Sequence, residues 1–144
     1  MKQQTHLIDI ATHGKGLYEF TREIETWLRQ IELRGEHPKT GLLTVFCQHT
    51  SASLVIQENA DPDVVADLAD FFTRLVPEDT HLYRHTAEGA DDMTSHIRSA
   101  LTQAQLSIPI HQGKLALGTW QGVYLFEHRV RPHRRSVVLH LLAE

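Results

Sequence analysis

The period of apolar and polar positions changes several times along the chain, and each change marks an element. Residues 5–11 alternate weakly and read as a first strand, which His13-Gly14-Lys15-Gly16 ends in a turn. The period then lengthens. Ile24, Trp27, Leu28 and Ile31 recur at helical spacing behind Thr21, which can cap the helix, and Gly35 is placed to stop it. Residues 41–49 and 52–58 are rich in Leu, Val, Ile, Thr and Phe and read as two strands with a break near Thr50-Ser51. Side chains alternate across a strand, so Leu43, Val45, Cys47 and His49 share a face and His49 ends an apolar stripe at a sheet rim. Glu58 follows Leu54 and Ile56 in the same way.

Asp61-Pro62 is a helix start, because Asp accepts from free amides of the first turn and proline needs no donor there. Val64, Val65, Leu68, Phe71, Phe72 and Leu75 supply its apolar stripe. Residues 77–91 form a long loop of the kind that carries function. Asp91 or Asp92 can cap a third helix through about residue 103, with Met93, Ile97, Ala100 and Leu101 expected to face inward and His96 beside that stripe. Strands are expected at 106–110, 114–118, 123–128 and 136–142, joined by turns that suit an antiparallel sheet. About seven strands and three helices without regular βαβ alternation predict an α+β fold, as one domain over residues 1–144.

Composition narrows the function classes. The chain is 41% hydrophobic and 22% charged, and no apolar run nears the roughly 20 residues of a membrane helix. A polar N-terminus without a signal-type apolar core makes the cytoplasm the expected compartment. A net charge of −4 gives no general cationic field for nucleic acid. Cys47 is alone, so any metal site must use His and carboxylates, and 11 histidines are available.

His49-Thr50-Ser51 lies at a strand break where hydroxyls and freed amides can meet an anion or a metal-bound water. Tyr83-Arg84-His85 and His96 place one imidazole on the long loop and another on the next helix, and Gly89 between them lets the loop fold back. With His49 they would form an open three-nitrogen face for a divalent ion. Hydrogen bonds that pin the loop, or neutral imidazoles that bind phosphate without metal, explain the same residues. Glu58 and Glu127 are carboxylates on apolar strand faces, where a charged group needs partners, so both are candidate acid/base groups. Gly118-Thr119-Trp120-Gln121-Gly122 can let a ligand approach the backbone, although a hairpin turn explains it equally. Arg129, Arg131, Arg134 and Arg135 form the one basic concentration, and Arg134 is a candidate phosphate contact. Cys47, mid-strand, reads as a buried structural thiol, and no GxSxG supports a serine hydrolase.

Four blocks together carry a resemblance. Gln48-His49-Thr50-Ser51-Ala52-Ser53-Leu54, Glu58-Asn59-Ala60-Asp61-Pro62, Glu88-Gly89-Ala90-Asp91-Asp92-Met93 with His96-Ile97, and Leu117-Gly118-Thr119-Trp120-Gln121-Gly122 resemble the signature blocks of the YjbQ, or secondary thiamine-phosphate synthase, family, in the family's order. Gln57 stands where the family often has Asn. The resemblance implies an α+β sandwich assembled as a homotrimer, histidines able to hold zinc or another divalent ion, and a weak thiamine-phosphate synthase activity.

These readings give a metal-dependent enzyme that takes a small phosphorylated metabolite. His49, His85 and His96 are its expected metal ligands, Glu58 and Glu127 its acid/base groups, and Thr50, Ser51, Gly89, Thr119, Trp120, Gln121 and Arg134 its ligand contacts. Imidazole ligands favour a zinc-like ion, and a diphosphate substrate would favour Mg²⁺ instead. The alternative is a non-catalytic trimeric module that binds metal or a phosphometabolite with the same residues.

Overall fold

Strand alternation sorts most of the apolar residues onto two facing sheets. In a computed structural model that describes residues 1–144, the elements run β1 (Lys2–Thr12), β2 (Gly16–Glu19), α1 (Thr21–Leu33), β3 (Thr40–Cys47), β4 (Ala52–Glu58), α2 (Pro62–Leu75), α3 (Asp92–Leu101), β5 (Gln105–His111), β6 (Lys114–Leu115), β7 (Gln121–Glu127) and β8 (His133–Ala143). A five-stranded sheet has the order β1-β8-β3-β5-β6, and a three-stranded sheet has the order β2-β7-β4. All named pairings are antiparallel, so the fold is α+β as the pattern predicts.

Leu43, Val45, Leu139 and Leu141 from the larger sheet share one core with Leu54, Val123 and Leu125 from the smaller. The predicted stripe of α1 joins it, since Ile24, Trp27, Leu28 and Ile31 are all buried. β7 is buried on both faces, which explains its unbroken run Val123-Tyr124-Leu125-Phe126. Phe126 meets Phe72 of α2 edge-on, with ring centroids 5.3 Å apart. Cys47 is buried in the core, as its strand position predicts.

Three expectations change. Thr21 is the first helical residue and not the cap; its hydroxyl donates to Glu19 Oε2 and accepts from the Val123 amide, tying α1 to the smaller sheet. The apolar stripe of α2 has no fully buried member, and Phe71 and Leu75 are about half exposed, because α2 lies over the edge of the smaller sheet. In α3 the buried residues are Asp92, Thr94, Ser95 and Arg98, while Leu101 is exposed. That helix turns its polar face inward because Asp92 and Arg98 have buried or half-buried partners there. No helix is long and apolar enough to cross a membrane.

Candidate functional site

Three segments meet at one end of the sandwich: the loop before α3, the break between β3 and β4, and the turn between β7 and β8. A glycine shapes the first. Gly89 has φ +113°, a conformation other residues rarely adopt, and its carbonyl accepts from Asp92 N–H, so the loop doubles back and returns His85 to the start of α3. Asp92 and His96 are one helical turn apart and share a face. The His85 Nε2, His96 Nε2 and one carboxylate oxygen of Asp92 all lie within 4.8 Å of one another.

Arg129 fixes this group from behind. Its guanidinium donates to both Asp91 Oδ2 and Asp92 Oδ1, and to the Glu88 carbonyl. Burial alone would raise the Asp92 carboxyl, but the hydrogen bond with His85 and the Arg129 charge outweigh it and hold Asp92 below the usual carboxylate range. Asp91, expected as a cap, makes no cap bond; its carboxylate accepts from Arg129 and from the Val130 amide.

The proton positions at His96 follow from its partners. Nδ1 lies 2.8 Å from the Thr50 carbonyl oxygen, which only accepts, so Nδ1 carries a proton. Nε2 then faces Asp92 Oδ2 at 3.1 Å. In the neutral ring that contact sets a lone pair against a carboxylate, a pairing that a cation between them would relieve. His85 Nε2 is 2.5 Å from the same Asp92 oxygen and 2.9 Å from Glu88 Oε2, and its hydrogen bond to Asp92 raises its pKa. Donors around a tetrahedral zinc stand roughly 3.3 Å apart, given bonds of roughly 2.0–2.1 Å; the His96–Asp92 separation of 3.1 Å matches this, whereas the His85–Asp92 contact of 2.5 Å would have to widen. Two imidazoles and a carboxylate suit such an ion better than Mg²⁺.

His49 lies beside this group and not in it. Its Nε2 accepts from the Ser136 amide at 2.7 Å, which leaves that nitrogen no lone pair for a metal. The next residues build a second polar cluster. Glu127 is fully buried and accepts from Arg135 Nε and Nη2, from the Thr12 hydroxyl at 2.6 Å and from the His128 amide. Its oxygens are thus occupied, which suits a residue that positions Arg135. Thr50 and Ser51 contribute carbonyls, to His96 and to Arg135 Nη2 respectively.

The remaining candidates lie elsewhere. Along β4, Ala52 pairs with Glu127, whereas Glu58 pairs with Gln121 six residues further on, about 20 Å at 3.3 Å per residue. Glu58, Thr119, Trp120 and Gln121 therefore sit at the opposite end of the smaller sheet. Thr119 and Gln121 line a groove of about 1110 Å³ with α1, and Trp120 is exposed. Arg134 is exposed, while its neighbour Arg135 turns inward. Sequence reasoning missed Asp92 as a site carboxylate, since a helix cap explained it, and missed Arg129 as the residue that holds it.

Comparison with known proteins adds the family. A family model described as UPF0047 protein YjbQ-like matches residues 6–144. A UPF0047 protein from Synechocystis is 55% identical, covering 99% of this chain and 94% of the relative. YjbQ of Escherichia coli O157:H7 is 39% identical over 95% of this chain and 96% of its own. Among solved structures, a conserved hypothetical protein from Thermus thermophilus superposes with a TM-score of 0.81 at 34% identity, covering 95% of this chain and 99% of that one. A protein of unknown function from Sulfolobus solfataricus, described as YbjQ-like, shares the fold at 19% identity and a TM-score of 0.83, covering 99% of this chain and 100% of that one. With a match across almost its whole length and relatives this similar, the chain belongs to the YjbQ-like UPF0047 family.

Proposed function

We propose that the chain is a metal-dependent enzyme acting on a small phosphorylated metabolite, with a divalent, zinc-like ion held by His85, Asp92 and His96. The observation that supports this is the convergence of the His85 and His96 Nε2 atoms on one Asp92 oxygen, with the His96 lone pair aimed at a carboxylate. The Thr50 carbonyl orients His96, and Arg129 orients Asp92, as groups behind metal ligands commonly do. A divalent ion there would supply Lewis acidity toward a phosphoryl or pyrophosphoryl oxygen.

The family resemblance extends the proposal to a weak thiamine-phosphate synthase activity. In that reaction the thiazole nitrogen supplies the electron pair for a new bond to the pyrimidine methylene carbon, the carbon–oxygen bond to the diphosphate breaks, and pyrophosphate leaves. No protein nucleophile is required, so the chain's contribution is to bind, orient and neutralise charge. The proposed assembly is a homotrimer. The outward face of the larger sheet supports further copies of the chain as partners, because Leu7, Leu42 and Phe46 are exposed there.

Elemental analysis of untagged protein purified without added metal tests the site. Bound zinc or a similar ion is expected, with loss in His85→Ala, Asp92→Asn and His96→Ala. Unchanged metal content in all three variants refutes the ligand set. An assay with both phosphorylated precursors tests the reaction, and product formation indifferent to the same variants removes this site from the mechanism.

A further inference from the structure

His49 and Arg135 point hydrogen-bond donors at each other with no acceptor between them. A neutral imidazole has one accepting nitrogen, and the Ser136 amide uses it, donating to His49 Nε2 at 2.7 Å. The ring proton therefore sits on Nδ1. The group nearest to Nδ1 is Arg135 Nη1, 3.4 Å away, which can only donate. Burial, reinforced by the Arg135 charge, lowers the His49 pKa and keeps the ring neutral.

The rest of the guanidinium is engaged. Arg135 Nε donates to Glu127 Oε1 at 2.9 Å, and Nη2 donates to Glu127 Oε2 at 2.5 Å and to the Ser51 carbonyl at 3.3 Å. Only Nη1 lacks an acceptor, although the Arg135 side chain is just 5% exposed. A buried guanidinium N–H aimed at another N–H is a donor pair with its acceptor missing. An oxygen about 2.8 Å from each nitrogen would meet both donors from one side of the 3.4 Å line that joins them.

We propose that His49 Nδ1–H and Arg135 Nη1–H bind one oxygen of a phosphate group, forming an oxyanion subsite beside the His85–Asp92–His96 centre. The two are adjacent because His49 precedes Thr50, whose carbonyl holds His96. This deepens the function proposed above and rests on its reading of a phosphorylated ligand. It also assigns a role to His49 that needs no metal: the Ser136 amide sets the tautomer, and the tautomer sets the donor. Glu127 acts through Arg135, holding the guanidinium so that Nη1 faces the subsite.

The test uses ¹⁵N-labelled protein titrated with inorganic phosphate before and after chelator treatment. Long-range ¹H–¹⁵N spectra of the unaltered protein report the His49 tautomer, and calorimetry reports affinity. The expected result is a proton on Nδ1 whose resonance moves with phosphate, under both conditions. His49→Phe and Arg135→Lys should each weaken phosphate binding at least about tenfold, the scale of one hydrogen bond to a charged group, while retaining wild-type metal content. Lysine at 135 preserves a cation for buried Glu127, so a loss of affinity there is not a loss of fold. A proton on Nε2, no saturable phosphate binding after chelation, or unchanged affinity in either variant overturns the subsite. Failure of the metal reading would show separately, in the metal content of the His85 and His96 variants.

Discussion

Acidification should destabilise this protein through His128, and the size of the effect follows from its surroundings. The imidazole is about 1% exposed, packs against Phe126 at 4.4 Å between ring centroids, and places Nε2 2.8 Å from Ser53 Oγ. Ser53 Oγ can donate to or accept from His128 Nε2, so the neutral ring is satisfied in place. Burial, then the charges of Arg98, Arg135 and Lys15, lower the His128 pKa from 6.5 to about 3. A depressed pKa means that the unfolded chain takes up the proton first. The associated stability is complete above pH 6.5 and drains away as pH falls toward about 3. At roughly 1.4 kcal/mol per pH unit, about 2 kcal/mol is lost by pH 5, with a ceiling of roughly 5 kcal/mol at lower pH. Urea titrations of wild type and His128→Gln at fixed protein concentration, at pH 7 and pH 5, isolate this contribution. Glutamine stays uncharged across that range, so wild type should lose about 2 kcal/mol more than the variant. The raised pKa of His85 acts in the opposite direction, and it cancels in the comparison because both proteins contain it. Parallel losses in the two proteins would refute the buried neutral imidazole.

Two further predictions concern the packing of the larger sheet and the ion pair beside the site. Gly41→Ala places a Cβ 2.6 Å from the Leu142 carbonyl oxygen and 2.7 Å from the Ala143 Cβ, where β3 and β8 approach closely; urea denaturation should show a loss of about 1–3 kcal/mol, and wild-type stability would refute the contact. Glu127→Gln leaves Arg135 buried beside a neutral amide, and should cost about 3–5 kcal/mol at neutral pH by the same measurement, a loss below about 1 kcal/mol counting against a desolvated ion pair.

The fold was legible wherever one period dominated. α1 follows its 3.6-residue stripe, Asp61 accepts from Asp63 N–H at 2.9 Å as a cap should, and β7 runs through the apolar segment that marked it. The expectations that changed did so for different reasons. The turn expected at His13 to Gly16 overlaps a strand, because Gly16 to Glu19, four residues too few for a pattern, pair with β7 in the smaller sheet. α3 has an apolar stripe in Met93, Ile97 and Leu101, but a helix over a polar site is oriented by ion pairs and hydrogen bonds as well as by apolar area. Desolvated Asp92 held by Arg129 outweighs an exposed leucine, since leaving a buried charge unpaired costs more than leaving one side chain in water.

At the site, Asp92 was missed because it had a sufficient local explanation. Asp92 could cap a helix, so its second role as the oxygen between two imidazoles stayed hidden; that role depends on the return of His85 across a loop, which no short-range pattern encodes. Arg135 is different, because the signal was present. It shares strand parity with Val137, Leu139 and Leu141, all buried, whereas Arg134 shares it with Ser136 and Val138. An arginine on a buried stripe requires a buried carboxylate, and Glu127 already stood out on the face of Val123 and Leu125. Parity on two strands therefore predicts the Glu127–Arg135 pair before any coordinates, and with that pair in place the guanidinium's free N–H is the group left to meet a ligand.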